Sequence, residues 1–208
     1  MMVDTMEHGK IRISSLKFGD HVKTISSTNS SWKYTKVITY LHKDETIISN
    51  YYVLKIANHS DTLKLSAEHL IAKFNRQTKR TEFIYAKDVK IGDLLFSQLT
   101  NEQVKVIDIS NEIEKGAYAP LTEDGTLFVN NILVSCYANI QSHKIAHAAM
   151  QPIITASRLF GKFFNFSPQI APPNSQLTGK TFWYSDFLIN FVANLPTQIS
   201  DLIYTVKV

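Results

Sequence analysis

The chain has 208 residues, of which 44% are hydrophobic and 19% charged, with a formal net charge of +4. That length suits one or two domains with a sizeable core, and the basic residues are scattered, with no run that would make a nucleic-acid footprint. The start carries Asp4 and Glu7 rather than a signal-peptide core, no stretch approaches the roughly 18 apolar residues of a membrane span, and the lone Cys136 has no partner for an internal disulfide.

From residue 1 to about 140, short runs rich in Val, Ile, Thr, Tyr and Phe alternate with turn clusters, the pattern of an all-β unit. Leu16-Lys17-Phe18-Gly19-Asp20-His21-Val22 reads as a turn leading into a strand, and 26–31 as a polar hairpin-type loop. Strands are expected at 34–40, 48–56 and 62–65. The first block then returns as Val89-Lys90-Ile91-Gly92-Asp93-Leu94-Leu95, and Lys36-Val37-Ile38 returns as Lys105-Val106-Ile107. Such a repeat predicts two related β halves packed about a pseudo-two-fold axis. Further strands are expected at 94–98, 104–109 and 126–134, with a turn at Glu123-Asp124-Gly125.

The character changes after residue 140. Residues 142–149 have helical composition, and Pro152 is expected to stop or kink that helix. Residues 153–166 are apolar apart from Arg158 and Lys162, and 167–178 read as a linker. The spacing of Trp183, Phe187, Phe191 and Leu195 marks one face of a second helix, either docked on a core or lying at a membrane interface. The expected division is therefore 1–150 and a helical, aromatic-rich tail at 151–208.

Phosphate loops, dinucleotide glycine patterns, His-Glu-x-x-His and Cys-x-x-Cys are absent from the sequence. His143 and His147 share a helix face and could be metal ligands or a structural pair; the nearest third ligand is Cys136. The sharper cluster is Ser66-Ala67-Glu68-His69, at the end of an expected strand. A hydroxyl three residues before an imidazole, at a strand corner, can hydrogen-bond a strained amide and protonate its departing amine. The same spacing also suits a capping serine beside an incidental histidine.

Ser66-Ala67-Glu68-His69 resembles the Thr-x-x-His motif of Hint domains, and residues 115–126, containing Gly116, Ala119-Pro120-Leu121-Thr122 and Gly125-Thr126, resemble a segment of Hedgehog processing domains. The block at 16–22, Val129-Asn130, Ser135-Cys136-Tyr137-Ala138, Ala146-His147 and Pro152 continue the match in order over roughly 3–153. The chain is thus similar to the Hedgehog C-terminal autoprocessing (Hint) family. The resemblance implies an all-β fold of two pseudo-symmetric halves followed by a short α-helical extension. It implies a cysteine-type self-cleaving endopeptidase with cholesterol transferase activity, in which a cysteine attacks the preceding carbonyl to form a thioester and the upstream signalling fragment passes to cholesterol. Ser66 takes the Thr position and His69 the His position, and Cys136 sits where the family carries a second cysteine near the active site. Cholesterol is then an acceptor substrate and no cofactor is expected. The upstream signalling domain is the partner, and a monomer in the secretory pathway (endoplasmic reticulum lumen) or outside the cell is expected. The tail around Trp183 resembles a sterol-recognition region, which could touch a membrane through Trp183, Phe187 and Phe191. The glycosylation triplets beginning at Asn29, Asn58 and Asn165 fit secretion.

Two departures from the family pattern stand out. His42 occupies the position of the Asp that serves the family as base for the sterol hydroxyl, and Asp44 is close by in sequence. The nucleophilic cysteine aligns about three residues ahead of Met1. Two readings follow, an active precursor with Gly-Cys-Phe or similar upstream, or a degenerate module that binds sterol or a protein partner without cleaving. Splicing is not expected, because the chain lacks a terminal His-Asn followed by a nucleophile.

Overall fold

The computed structural model describes residues 1–26, 31–100, 102–140 and 142–160. Its strands are β1 (Met2–Thr5), β2 (Gly9–Arg12), β3 (His21–Ile25), β4 (Trp32–Ile56), β5 (Leu63–Leu65), β6 (His69–Asn75), β7 (Arg80–Tyr85), β8 (Leu94–Ser97), β9 (Glu102–Thr122), β10 (Thr126–Val129) and β11 (Ile132–Ala138), followed by the helix α1 (His143–Phe160). The strands join in the order β10-β11-β6-β8-β9-β4-β3-β1-β2, with β5 on β4 and β7 on β6. The all-β architecture with a C-terminal helix is as the sequence implied. The aromatic segment around Trp183, Phe187 and Phe191 and the glycosylation triplets at Asn29 and Asn165 lie outside the described residues.

The repeat is a structural one. The hairpin β1–β2 leads into a 3-10 turn at Ile13–Ser15, then Gly19-Asp20, β3 and β4; the hairpin β6–β7 leads into a 3-10 turn at Ala86–Asp88, then Gly92-Asp93, β8 and β9. Gly19 and Gly92 hold φ of 91° and 93°, which only a residue without a Cβ adopts at little cost. Gly19 donates to Val37 O at 2.9 Å and Val37 N to Asp20 O at 2.8 Å; Gly92 donates to Val106 O at 2.8 Å and Val106 N to Asp93 O at 2.9 Å.

The two halves meet along β4 and β9, which pair antiparallel from Val37–Thr122 to Ile56–Val106. The sequence suggested separate strands at 34–40 and 48–56; they are one element, bent at irregularities that include 40/42 and 44/48. The expected run 126–134 is instead two strands. Asn130 and Asn131, at φ of 45° and 68°, make the two-residue turn that pairs Val129 with Ile132, the geometry in which Asn tolerates positive φ.

One core runs through both halves and onto the helix. Val22, Val37, Leu54, Leu63, Ile71, Leu95, Val106, Leu121 and Val134 belong to it, with Ala146, Met150, Ile153 and Ile154 of α1. Burying Ile153 and Ile154 stabilises the docked helix by about 1.5–3 kcal/mol each. β11 is buried at every position from Ile132 to Tyr137, with His143 and His147 of α1 packed against Tyr137. Of the two outcomes expected at Pro152, a stop and a kink, the stop does not occur: α1 continues to Phe160. Pro152 lies on the exposed side, where Ala148, four residues earlier, is also exposed, so the carbonyl that loses its N–H partner meets water.

Candidate active site

Ser66 follows the buried Leu65 at the end of β5, and His69 opens β6. Between them the chain makes a tight turn closed by the His69 amide donating to the Ser66 carbonyl at 3.0 Å. Both side chains line one cleft of about 400 Å³, which also receives Met1, His42 and Cys136. The candidates separated in sequence are thus brought together.

His69 Nε2 donates to the Ser135 carbonyl at 2.9 Å, which leaves Nδ1 as the ring's lone-pair nitrogen. Burial lowers the pKa of His69, outweighing the opposing effect of that hydrogen bond, so the ring is neutral near pH 7. A neutral imidazole can accept a proton at its lone-pair nitrogen. Ser66 is exposed, and no hydrogen bond ties its hydroxyl to another described residue.

Cys136 forms part of the cleft wall and is 2% exposed. The Thr122 hydroxyl donates to Thr126 O at 3.0 Å and stands 3.5 Å from the Cys136 sulfur, as the acceptor for the thiol. Burial pushes the thiol up to about 12, so it stays protonated and is a poor nucleophile.

His42 lies opposite Ala119 in the β4–β9 ladder. Consecutive strand residues normally point to opposite faces, yet Leu41 and His42 both line the cleft because the register shifts at 40/42. Asp44 is not part of the lining. Its Oδ1 accepts from the Thr46 amide and hydroxyl at 2.7 Å each and from the Ile47 amide at 3.1 Å, and these bonds hold its carboxyl below the usual range. The carboxylate is committed to its own turn, which leaves His42 as the group at the expected base position.

Sequence reasoning missed the residues that place Met1. Met2 N donates to Asn130 Oδ1 at 2.6 Å and Asn130 N to Met2 O at 2.8 Å, while the Asn130 amide nitrogen donates to Thr62 O at 2.7 Å. Ile13 N donates to Met1 O at 3.0 Å. Val129-Asn130 belongs to the family-like motif, and the Asn-Asn pair carries a turn signal; its partner 128 residues away in sequence has no local trace. The apolar rim comes from Leu41, Ile47, Tyr118 and Ala119, and Lys64 stands there held by Glu112 and Glu114.

His143 and His147 do not converge on a shared ligand. Their rings stack at 6.0 Å, with Nδ1 of His143 on Ser135 Oγ and Nδ1 of His147 on Tyr137 Oη, each at 2.9 Å. Among the described residues there is no group of three or more His, Cys, Asp or Glu arranged to hold a metal.

Two pseudo-symmetric β halves joined by long shared strands, with Ser66, His69 and Met1 lining one cleft, define the class of β domain to which the chain belongs. The family model for the Hint module matches residues 1–195, and the chain belongs to the Hint family. It is 30% identical over 154 residues to the Sonic hedgehog protein of Xenopus laevis, covering 70% of this chain and 34% of that protein. It is 35% identical over 144 residues to Warthog protein 6 of Caenorhabditis elegans, covering 67% of this chain and 24% of that one. The chain therefore spans about a third of the first relative's length and about a quarter of the second's. The fold is shared with the gp41-1 intein, at a TM-score of 0.51 and 21% identity over 64% of this chain and 92% of the intein. A bacterial intein-like domain from Clostridium thermocellum gives 0.50 at 21% identity, over 64% of this chain and 93% of that one.

Proposed function

We propose that this domain cleaves the peptide bond at its own N-terminal boundary through a thioester and passes the upstream fragment to a hydroxyl acceptor. The observation that carries this reading is the presence of Met1, Ser66, His69 and His42 on one cleft. A segment leading into Met1 arrives beside the neutral His69. The thiol of a cysteine ahead of Met1 gives its proton to His69 Nδ1 and attacks the preceding carbonyl. Ser66 hydrogen-bonds the scissile amide. His69 returns the proton to the departing nitrogen as the C–N bond breaks and the C–S bond remains. The acceptor hydroxyl then attacks the thioester, giving its proton to the His42 imidazole; a C–O bond forms and the thiolate leaves, later reprotonated from His42. The family resemblance makes cholesterol the acceptor, and the apolar rim of Leu41, Ile47 and Tyr118 suits a sterol. On this reading an upstream signalling fragment is the partner, the secretory pathway is the site of action, and the aromatic tail around Trp183 assists at the sterol or membrane surface.

The spacing to the nucleophile is testable. A cysteine directly before Met1 has its Cα about 3.8 Å away, whereas one three residues upstream lies up to roughly 10 Å away and must fold back to the cleft. Reporter fusions should be built with Gly-Cys in each position and treated with dithiothreitol or cholesterol. Thiol-induced cleavage is expected, faster for the adjacent cysteine, and lost on His69→Ala. Cleavage by thiol without sterol transfer would show that His42 does not act as the base. A second reading, a module that binds sterol or a protein partner without cleaving, draws on the burial of the one thiol and on histidine at position 42. Failure of both fusions with both agents selects it.

A further inference from the structure

We propose that His143, on a helix appended to the β domain, is a positioning residue for His69 and acts through Ser135. The proposal rests on the reading of His69 as the proton-handling residue.

The link begins in an irregularity of β11. Its register against β6 shifts between Val134, opposite Ile71, and Ala138, opposite His69. Within that stretch the Ser135 carbonyl accepts from a side chain, His69 Nε2, at 2.9 Å. A bulge frees a carbonyl in this way and aims it. What fixes the bulge is the Ser135 side chain, which is fully buried. Its Oγ accepts from the Tyr137 amide at 3.0 Å, two residues along. The hydroxyl proton then needs an acceptor, and the one available among the described residues is His143 Nδ1 at 2.9 Å.

His143 is equipped to stay that acceptor. Its ring stacks on Phe83 at 4.1 Å and 15° and lies against Tyr137 at 5.4 Å and His147 at 6.0 Å. Burial, aided by the charge His147 would carry, pushes it down to about 4, so the Nδ1 lone pair persists through neutral pH. The chain of contacts therefore runs from α1 to Ser135 Oγ, through the bulge to the Ser135 carbonyl, and on to His69. Its product is a single His69 tautomer with the proton on Nε2 and the lone pair on Nδ1. Without it, His69 has no fixed acceptor and divides between tautomers, one of which presents N–H where a base is needed.

His143→Phe keeps the ring and its stacking but removes the acceptor, and Ser135→Ala removes the donor. Nitrogen-15 spectra of the histidine rings in the native chain read the tautomer of His69 without any cleavage. The wild type is expected to show one tautomer protonated on Nε2, and both variants a mixture. His143→Asn, which offers an amide oxygen near the Nδ1 position, should restore the single form. Arg158→Ala breaks the Arg158–Glu123 contact at the far end of the helix and loosens α1 without touching Ser135, so it should leave His69 unchanged. In the cleaving fusion, His143→Phe and Ser135→Ala should each slow thiol-induced cleavage roughly 10- to 100-fold, and the double variant no further than either alone. An unchanged His69 spectrum in His143→Phe, the same mixture in Arg158→Ala, or additive losses in the double variant would overturn the proposal. Absence of cleavage from the unmutated fusion would sink the functional reading, while the spectra still decide this one.

Discussion

Asp20 and Asp93 do the same work in the two halves of the molecule. Asp20 Oδ2 accepts from Lys17 N at 2.9 Å, and Asp93 Oδ2 accepts from Lys90 N at 2.9 Å. Each carboxylate closes the turn that its neighbouring glycine opens. Replacing either by Ala is expected to lower stability by about 1.5–3 kcal/mol, the usual value for a hydrogen bond to a charged group. The loss should be larger at Asp20, which is buried, than at the less buried Asp93. Urea denaturation of the two single variants measures this, and the pair should add because the sites are independent. Negligible losses at both would show that the turns hold without their caps.

This pair also marks how far the sequence could be read. The Gly-Asp repeat was visible because its cause is local: a positive φ at Gly19 and Gly92 and a side chain reaching back three residues. Ser66 and His69 were visible for the same reason, as one turn. Other features depend on partners far along the chain. Nothing near Asp44 or His42 announced that β4 would continue past both, with a register shift that turns His42 into the cleft. Pro152 reads from sequence as a stop or a kink, because its outward position depends on how α1 docks. Ser135 looked like a neighbour of Cys136, and its bond to His143 emerges only from the packing of helix on sheet.

Asn130 holds the first strand to the second half of the domain. Asn130→Ala removes the side-chain bonds to Met2 and Thr62 while leaving the Thr62 carbonyl and the Met2 amide to find new partners. A loss of about 1–3 kcal/mol is expected. Hydrogen exchange should show faster opening of residues 1–5, with β8 and β9 little changed. Unchanged exchange at the N-terminus would mean that Asn130 is not its anchor.

Stability should fall with acid in a defined window. The folded pKa values of His143, His147 and His69 all lie below the ordinary 6.5, each chiefly because of burial. The unfolded chain therefore binds more protons than the folded one as pH drops below 6.5, and stability rises with pH across this range. The contribution from His143 is complete above 6.5 and lost as pH falls toward about 4. Among the described residues, the groups around its ring are Phe83 from β7, Ser135 and Tyr137 from β11 and His147 on the helix itself, and none of these carries a negative charge at these pH values. Thermal melts from pH 7 to pH 4 should show a declining Tm, with a shallower decline in His143→Phe.

Cys136 should be inert in the folded protein. Its thiol is buried and pushed up to about 12, so thiolate is scarce at pH 8. Iodoacetamide is expected to label it slowly under native conditions and rapidly in guanidinium. Fast native labelling would show that the cleft opens to expose the sulfur.

Gly125 sits under the helix at φ +71°, where an added Cβ would lie 2.6 Å from His147 Nδ1 and 3.0 Å from the Tyr137 ring. Gly125→Ala combines backbone strain with a collision against a packed ring, and should destabilise by about 1–3 kcal/mol. Calorimetry measures the loss. A neutral result would mean that α1 shifts on the sheet at no cost.

The cleft draws its lining from Met1 at one end of the domain and Asn139 at the other, across a ladder that pairs Val37 with Thr122. No shorter stretch of nascent chain contains the site. At roughly 5–20 residues per second, a ribosome that has just made Met1 needs on the order of 10–30 s to deliver Asn139, and β pairing over such distances is itself slow. The first hairpin, β1–β2, is made long before β11 can close the cleft. The topology thus acts as a timer: the cleft is assembled only after the whole β domain has been made.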